Sequence, residues 1–332
     1  MLGSYLLSYV DAHVAGEPLR LITGGPKLKG GTLVEKTGYL KNNFDFIRRA
    51  AMLEPRGHAD MYGAYLTEPS DTRADLGVIF IDSALYNAMC GHGSIAIATI
   101  AVEMGYVPAQ EPVTDVVLET GAGLVTVKVD VQDGRTVGAT LEGVPSFLYK
   151  ADVQLEVFGK KITADIVFGG NFFAMVSMKQ LNLKHSKEYL DNFIRYGIEI
   201  REQANKLDIQ HPTQPHITTV DDILFVDDPA FPGDTYKSLV FLGESQIDRS
   251  PCGTGTCARV GALYSKGQLK KDAVFRHESV IGSVFECRVG SETTVGDYKA
   301  IIPLVRSRGF ITGIGTLVIN SDDPLKDGFL LR

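Results

Sequence analysis

"VIFIDSALYNAMCGHGSIAIATIAVEMG" (residues 78–105) and "LVFLGESQIDRSPCGTGTCARVGALYSKG" (residues 239–267) are two copies of one pattern. Each begins with a run of strand-forming residues, passes through a loop to C-G-x-G-[ST], and continues as a small, apolar, helix-compatible stretch. Phe80 and Leu242 stand ten residues before Cys90 and Cys252, and Gly105 and Gly267 stand fifteen after them, where a helix C-cap glycine is expected. The repeat predicts a strand–loop–helix unit used twice.

The rest of the chain supplies elements to build around these units. "GYLKNNFDFIRRAAMLE" (38–54) places Leu40, Phe44, Ile47 and Ala51 at helical spacing. "LVTVKVDV" (124–131) alternates as a half-buried strand, with "QDG" as its turn, and "DLGVIFID" (75–82) is a short apolar run rich in strand formers. "SKEYLDNFIRYGIEIREQANKL" (186–207) predicts a helix with an apolar stripe through Leu190, Phe193, Ile194 and Ile198. Strands are expected again at 238–242, 283–289, 298–305 and 315–320. The 332 residues exceed the roughly 250–300 at which one core stops growing, so two domains are expected, with a boundary in the "GVPSF" punctuation near 145–150.

Composition narrows the function. The net charge of −7 disfavours a nucleic-acid binder, which needs a basic face, and "KGQLKK" (266–271) reads as solvated surface. No stretch approaches the roughly 18 apolar residues of a membrane span. The N-terminal "MLGSYLLSYVDAH" lacks a basic region and meets Asp11 early, unlike a secretion signal. Cys90, Cys252, Cys257 and Cys287 neither form a disulfide framework nor show C-x-x-C spacing. A cytoplasmic protein with reduced thiols is expected. Cys257 and Cys287 read as packing residues.

A cysteine just before a helix sits among unpaired N–H groups at the positive end of the dipole, which favours thiolate. Adjacent glycines let backbone amides approach an anion closely. Two such units facing one ligand offer two sulfurs and a cradle for a carboxylate. That suits inversion of a carbon beside a carboxylate, with one cysteine as thiolate base and the other as thiol acid. The amides would stabilise the charge that gathers on the carboxylate as the proton leaves. Other readings stay open: a Gly-rich structural turn with a buried cysteine, or a metal site on Cys90 and His92 for which no further ligands can be placed. The motif lacks the G-K-[ST] ending of a phosphate-binding loop, and no cofactor site is evident.

"MCGHGSIAIAT" (89–99) and "DRSPCGTGTCAR" (248–259) resemble the two signature segments of the proline racemase family. That family includes proline racemases, 4-hydroxyproline 2-epimerases and trans-3-hydroxy-L-proline dehydratases. "DAHVAGEPLR" (11–20), "EPRGHADMYGA" (54–64), "FGGNFFAMV" (168–176) and "DDPLKDGFLL" (322–331) resemble further family segments, so the similarity covers nearly the whole chain. It implies an α/β (α+β) fold of two similar domains, each a sheet wrapped around a central helix, in the diaminopimelate-epimerase-like architecture with the active site in the cleft between them. Residues 1–147 plus 319–332 would carry Cys90, and residues 148–318 would carry Cys252. The resemblance implies Cys90 and Cys252 as the acid–base pair, amides of Gly91, His92, Gly253 and Thr254 on the substrate carboxylate, and His92 with Asp248 on the ring nitrogen. Taken alone, Asp248 in "DRSPC" also reads as a turn or cap residue.

Retention of both cysteines favours inversion, because the family's dehydratases usually carry threonine at the position of Cys252. Tyr62 and Leu242 replace phenylalanines typical of proline racemases. The smaller Leu242 leaves room, and the Tyr62 hydroxyl could meet a ring hydroxyl. "RGHADM" (56–61) leans away from the 4-hydroxyproline epimerases, and Val14 stands where the family often has threonine. The expectation is a cofactor-independent, metal-free racemase or 2-epimerase of proline or hydroxyproline. The alternative is a trans-3-hydroxy-L-proline dehydratase, which could also be a second activity, and a non-catalytic small-carboxylate binder is the remaining one. The expected partner is a small imino acid, and the resemblance implies a homodimer.

Overall fold

The computed structural model describes residues 4–229 and 235–331. The first three residues of the N-terminal stretch read above lie outside them. The chain divides into two compact units, Met1–Leu141 with Arg308–Arg332, and Glu142–Ser307.

In the first unit, helix α2 (Gly91–Glu103) is buried along its whole length except Glu103. A helix that is apolar all round must be covered all round, and the sheet does this. Strand Gly309–Asn320 pairs antiparallel with Ser4–Val14, which forms a hairpin with Glu17–Gly24. Ala15 and Gly16 both take positive φ in the two-residue turn between them. Glu17–Gly24 runs parallel to Tyr62–Thr67, which is antiparallel to Leu76–Asp82. That strand pairs parallel with Val113–Thr120, and the meander Gly123–Gln132 and Arg135–Glu142 follows. Helix α2 touches Ser4–Val14 and Gly309–Asn320 at one end of this order and Val113–Thr120 and Gly123–Gln132 at the other, so the sheet curls around it.

Strand Leu76–Asp82 is buried on both faces. Phe80 points at α2, where a Cβ on Gly93 would meet it at 2.8 Å, while Ile79 and Ile81 join the cluster beneath helix α1 (Leu33–Met52). Helix α1 starts five residues before the expected stretch, because Thr32 and Glu35 form a capping box. It is interrupted at Phe44, whose φ of −139° is non-helical.

In the second unit the sheet closes on itself around helix α4 (Gly253–Ser265). Ser146–Val157, Lys160–Phe168 and Phe172–Ser177 are successively antiparallel; Val220–Asp227 follows in parallel and Tyr236–Leu242 antiparallel. Phe275–Glu278 is parallel to Tyr236–Leu242, then Val284–Val295 and Tyr298–Ser307 follow antiparallel. The last strand returns to the first through Ala300–Phe147 and Ile301–Ser146. Helix α4 contacts Ser146–Val157, Lys160–Phe168, Phe172–Ser177, Val284–Val295 and Tyr298–Ser307. The architecture is a mixed α/β fold with a barrel-like sheet and few helices.

Helix α3 (Leu190–Ala204) lies outside the barrel and corrects one sequence expectation. Its buried face runs through Phe193, Gly197, Ile200 and Ala204, and Ile198 is exposed. Gly197 has no side chain and sits so close to the Phe241 ring that a Cβ would fall 2.4 Å from it. That approach turns the Gly197 side of the helix inward and Ile198 outward.

Both central helices end as the repeat predicts. Gly105 and Gly267 take φ of 74° and 70°, and their N–H groups bond the carbonyls of Val102 and Tyr264. The "KGQLKK" run is exposed apart from Leu269, and Lys266 pairs with Asp165. No helix among the described residues is long and apolar enough to cross a membrane.

Candidate active site

The spacing of the motif has a mechanical reason. Cys90 is the N-cap of α2 and Cys252 the N-cap of α4, and each sulfur accepts from the amide three residues on, Gly93 at 3.4 Å and Gly255 at 3.3 Å. A side chain on either glycine would press on that sulfur, at 3.1 Å for Gly93 and 3.3 Å for Gly255. The second glycine therefore gives the sulfur its seat and its donor together. Both cysteines are 7% exposed, and all four cysteines are free thiols.

Cys90 sits beside an imidazole. Its sulfur is 3.2 Å from His92 Nδ1. His92 Nε2 lies 3.2 Å from the carbonyl of Pro18, which can only accept, so Nε2 carries the proton and Nδ1 is the acceptor facing the thiol. The "DAHVAGEPLR" hairpin supplies that carbonyl. Half-buried Tyr62 meets the His92 ring edge-on at 5.1 Å between centroids. Asp82 shapes the loop before Cys90 by accepting from the amides of Ala84 and Leu85 and from the Asn87 side chain. Gly91 and His92 begin the first turn of α2, where backbone N–H groups lack helical partners.

Cys252 has different neighbours. A hydroxyl replaces the imidazole, with Thr254 Oγ1 at 3.4 Å. Three side chains step down the "DRSPC" segment: Asp248 Oδ1 accepts from the Ser250 amide at 2.7 Å, Ser250 Oγ from the Cys252 amide at 3.0 Å, and Cys252 Sγ from the Gly255 amide. Asp248 thus makes the turn bond read from sequence and keeps Oδ2 without a protein donor among the described residues. Gly253 and Thr254 present first-turn amides at the N-terminus of α4. Leu242 packs against the cluster that contains Cys252. Burial, then the charges of Asp248 and Asp222, push the Cys252 thiol well above its ordinary value.

Sequence reasoning missed Asp222 and Asn171. The "FGGN" segment packs Gly169 and Gly170 against Thr254, with a Cβ on Gly169 falling 2.3 Å from the Thr254 carbonyl. Asn171 follows and donates to Asp222 Oδ2 at 2.8 Å. Burial pushes the Asp222 carboxyl up to about 7, with Asp221 and Asp248 adding repulsion. The only sequence signal was a polar "DD" opening an otherwise apolar strand, which reads as surface. Among the described residues, no group of three or more His, Cys, Asp and Glu side chains is arranged to hold a metal ion.

The structure therefore brings Cys90, Gly91, His92 and Tyr62 together in the first unit, and Cys252, Gly253, Thr254, Asp248 and Leu242 together in the second. Each unit thus carries a free thiol at the N-cap of its central helix. The chain belongs to the proline racemase family, whose pattern it matches over residues 9–330. It is 47% identical over 324 residues to the proline racemase of Acetoanaerobium sticklandii, covering 96% of this chain and 97% of that one. It is 41% identical over 331 residues to the trans-3-hydroxy-L-proline dehydratase of Azospirillum brasilense, covering 98% of each. The solved hydroxyproline epimerase of Agrobacterium vitis, with bound trans-4-hydroxy-L-proline, superposes with a TM-score of 0.90 at 32% identity, over 98% of this chain and 95% of that one.

Proposed function

We propose that this protein is a cofactor-independent racemase or 2-epimerase of proline or hydroxyproline, with Cys90 and Cys252 as its acid–base pair. The observation that carries the reading is the unequal environment of two otherwise matched thiols. Cys90 faces an imidazole nitrogen able to accept the thiol proton, which suits the role of base. Cys252 faces a hydroxyl and two buried carboxyls, which suits a resting thiol acid. Deprotonation at one face of the α-carbon and protonation at the other inverts it, and the roles exchange in the reverse direction.

In this reading the two units follow the diaminopimelate-epimerase-like plan and each brings one cysteine to a shared cleft. The domains expected at 1–147 plus 319–332 and 148–318 shift in their bounds, because strand Gly309–Asn320 pairs with Ser4–Val14 and belongs with the first. Amides of Gly91, His92, Gly253 and Thr254 hold the substrate carboxylate, and Asp248 with His92 meets the ring nitrogen. Both His92 nitrogens already have partners and Asp248 accepts from the Ser250 amide through Oδ1, which supports Asp248 as the main partner of the ring nitrogen. Tyr62 and Leu242 shape the space around the ring carbons. A cytoplasmic homodimer completes the proposal.

The second reading, dehydration of trans-3-hydroxy-L-proline, is favoured by Asp222. A carboxyl that holds its proton near neutrality beside Asp248 can donate to a departing ring hydroxyl. Incubation with L-proline, trans-4-hydroxy-L-proline and trans-3-hydroxy-L-proline in D₂O, followed by NMR, separates the readings. Inversion with α-deuteration supports the epimerase, and loss of water to a cyclic imine supports the dehydratase. A small-carboxylate binder would show neither, and absence of exchange with all three rejects the proposal.

A further inference from the structure

Cys90 and Cys252 occupy equivalent places in the repeat, yet their backbones differ. Cys90 has φ −142° and ψ 122°, an ordinary extended N-cap. Cys252 has φ 67° with the same ψ. A positive φ strains a residue bearing a Cβ and persists only where the surroundings impose it.

Thr256 supplies the constraint. Its amide donates to the Cys252 carbonyl at 2.8 Å, fixing the peptide plane that follows the cysteine Cα. Its hydroxyl lies 3.4 Å from the Pro251 carbonyl, on the plane that precedes that Cα. The other end of this preceding peptide, the Cys252 amide, is held by Ser250 Oγ. With both planes fixed, φ of Cys252 is fixed. Ser94, the counterpart of Thr256, puts both its amide and its hydroxyl on the Cys90 carbonyl, grips only the following plane, and leaves φ ordinary.

The direction of the Thr256 hydroxyl is set from deeper in the barrel. Arg259, 1% exposed and paired with Asp228, donates from its guanidinium to His277 Nε2 at 3.0 Å. An arginine can only donate, so Nε2 is the bare nitrogen and Nδ1 carries the proton. Nδ1 lies 2.8 Å from Thr256 Oγ1, which therefore accepts there and turns its own hydrogen to Pro251. Burial, reinforced by the Arg259 charge, holds His277 neutral, so the tautomer persists.

We infer that His277 and Thr256 are positioning residues: the chain Asp228–Arg259–His277–Thr256 locks the Pro251–Cys252 peptide and thereby aims the Cys252 thiol. The inference rests on Cys252 being an acid–base residue for its catalytic meaning, though not for its geometry.

The test compares Thr256→Val, which keeps the branched shape and removes the hydroxyl, with Thr256→Ser, which keeps the hydroxyl. Iodoacetamide alkylation of Cys252 and Cys90 is followed peptide by peptide by mass spectrometry. Thr256→Val releases the sulfur from the Gly255 amide and slows Cys252 alkylation about fivefold, the worth of one hydrogen bond, with Cys90 unchanged. Thr256→Ser leaves both rates at wild-type values. Unchanged Cys252 alkylation in Thr256→Val, or equal slowing of both thiols, overturns the inference. Should Thr256→Val not fold, Ser250→Ala frees the other end of the same peptide and is read identically. In D₂O, Thr256→Val should lose inversion yet keep α-exchange of the enantiomer whose hydrogen faces Cys90. A wild-type protein that exchanges neither enantiomer would reject the proposed function while leaving the alkylation result to judge the positioning.

Discussion

Replacing Asp222 by Asn tests whether the second unit holds a protonated carboxyl. Burial lifts this group from 3.8 to about 7. A carboxyl raised on folding binds more protons in the native state than in the unfolded one between those values. Stability therefore falls as pH rises from about 4 to about 7 and is level above. At about 1.4 kcal/mol per pH unit, the full loss is about 4 kcal/mol. Asn carries no titrating proton and still accepts from Asn171. Losses of packing or hydrogen bonding are equal at every pH, so they shift the Asp222→Asn profile without changing its slope. The assay is urea unfolding of both proteins at about pH 4.5, 6 and 8. The stability of Asp222→Asn relative to wild type should climb across that range, with most of the change complete by pH 7. Parallel profiles would refute the reasoning and make Asp222 an ordinary ionised carboxylate.

Cys90→Ser and Cys252→Ser should each cut inversion by at least about 10²-fold while leaving the unfolding transition in place, as enzyme assay and circular dichroism would check. Gly93→Ala drives a Cβ to within 2.8 Å of the fully buried Phe80 ring and 3.1 Å of the Cys90 sulfur. It should cost about 1–3 kcal/mol in denaturant unfolding and lower kcat. Gly105→Ala meets nothing within 4 Å, and its only cost is φ of 74°, so it should destabilise by about 1 kcal/mol with activity retained. His92→Gln removes the ring nitrogen that faces Cys90, so alkylation of Cys90 at neutral pH should slow several-fold while Cys252 keeps its rate.

The local logic of the site was legible because it is carried by consecutive residues. The paired motif foretold two buried N-capped helices, and Gly105 and Gly267 marked their ends. The alternation of Val125, Val127, Val129 and Val131 foretold strand Gly123–Gln132, and the "QDG" turn appears with Asp133 and Gly134 at positive φ. The closure of the barrel was not legible, since the pairing of Ala300 with Phe147 joins residues far apart in the chain. The inward face of α3 was misread because its deciding contact is the absence of a side chain at Gly197 against Phe241. The roles of Asp222, His277 and Thr256 escaped notice for a related reason. The meaning of each depends on partners from elements distant in the chain.

The inequality of the two thiols was also invisible in the motif itself. The repeat makes Cys90 and Cys252 look interchangeable, and only their neighbours separate them. His92 against Thr254 was visible as a difference in the third motif position. The positive φ of Cys252 was not, because it depends on which carbonyl the hydroxyl of Thr256 reaches.

The central claim is that two thiols work on opposite faces of one carbon. Its most direct measurement is the early time course of L-proline conversion in D₂O, with the α-hydrogen of substrate and product resolved by NMR. Two thiols predict that the D-enantiomer forms with deuterium at its α-carbon while the remaining L-proline still carries protium. Product that keeps the original protium would mean that a single group moves one hydrogen between the two faces, and it would contradict the account.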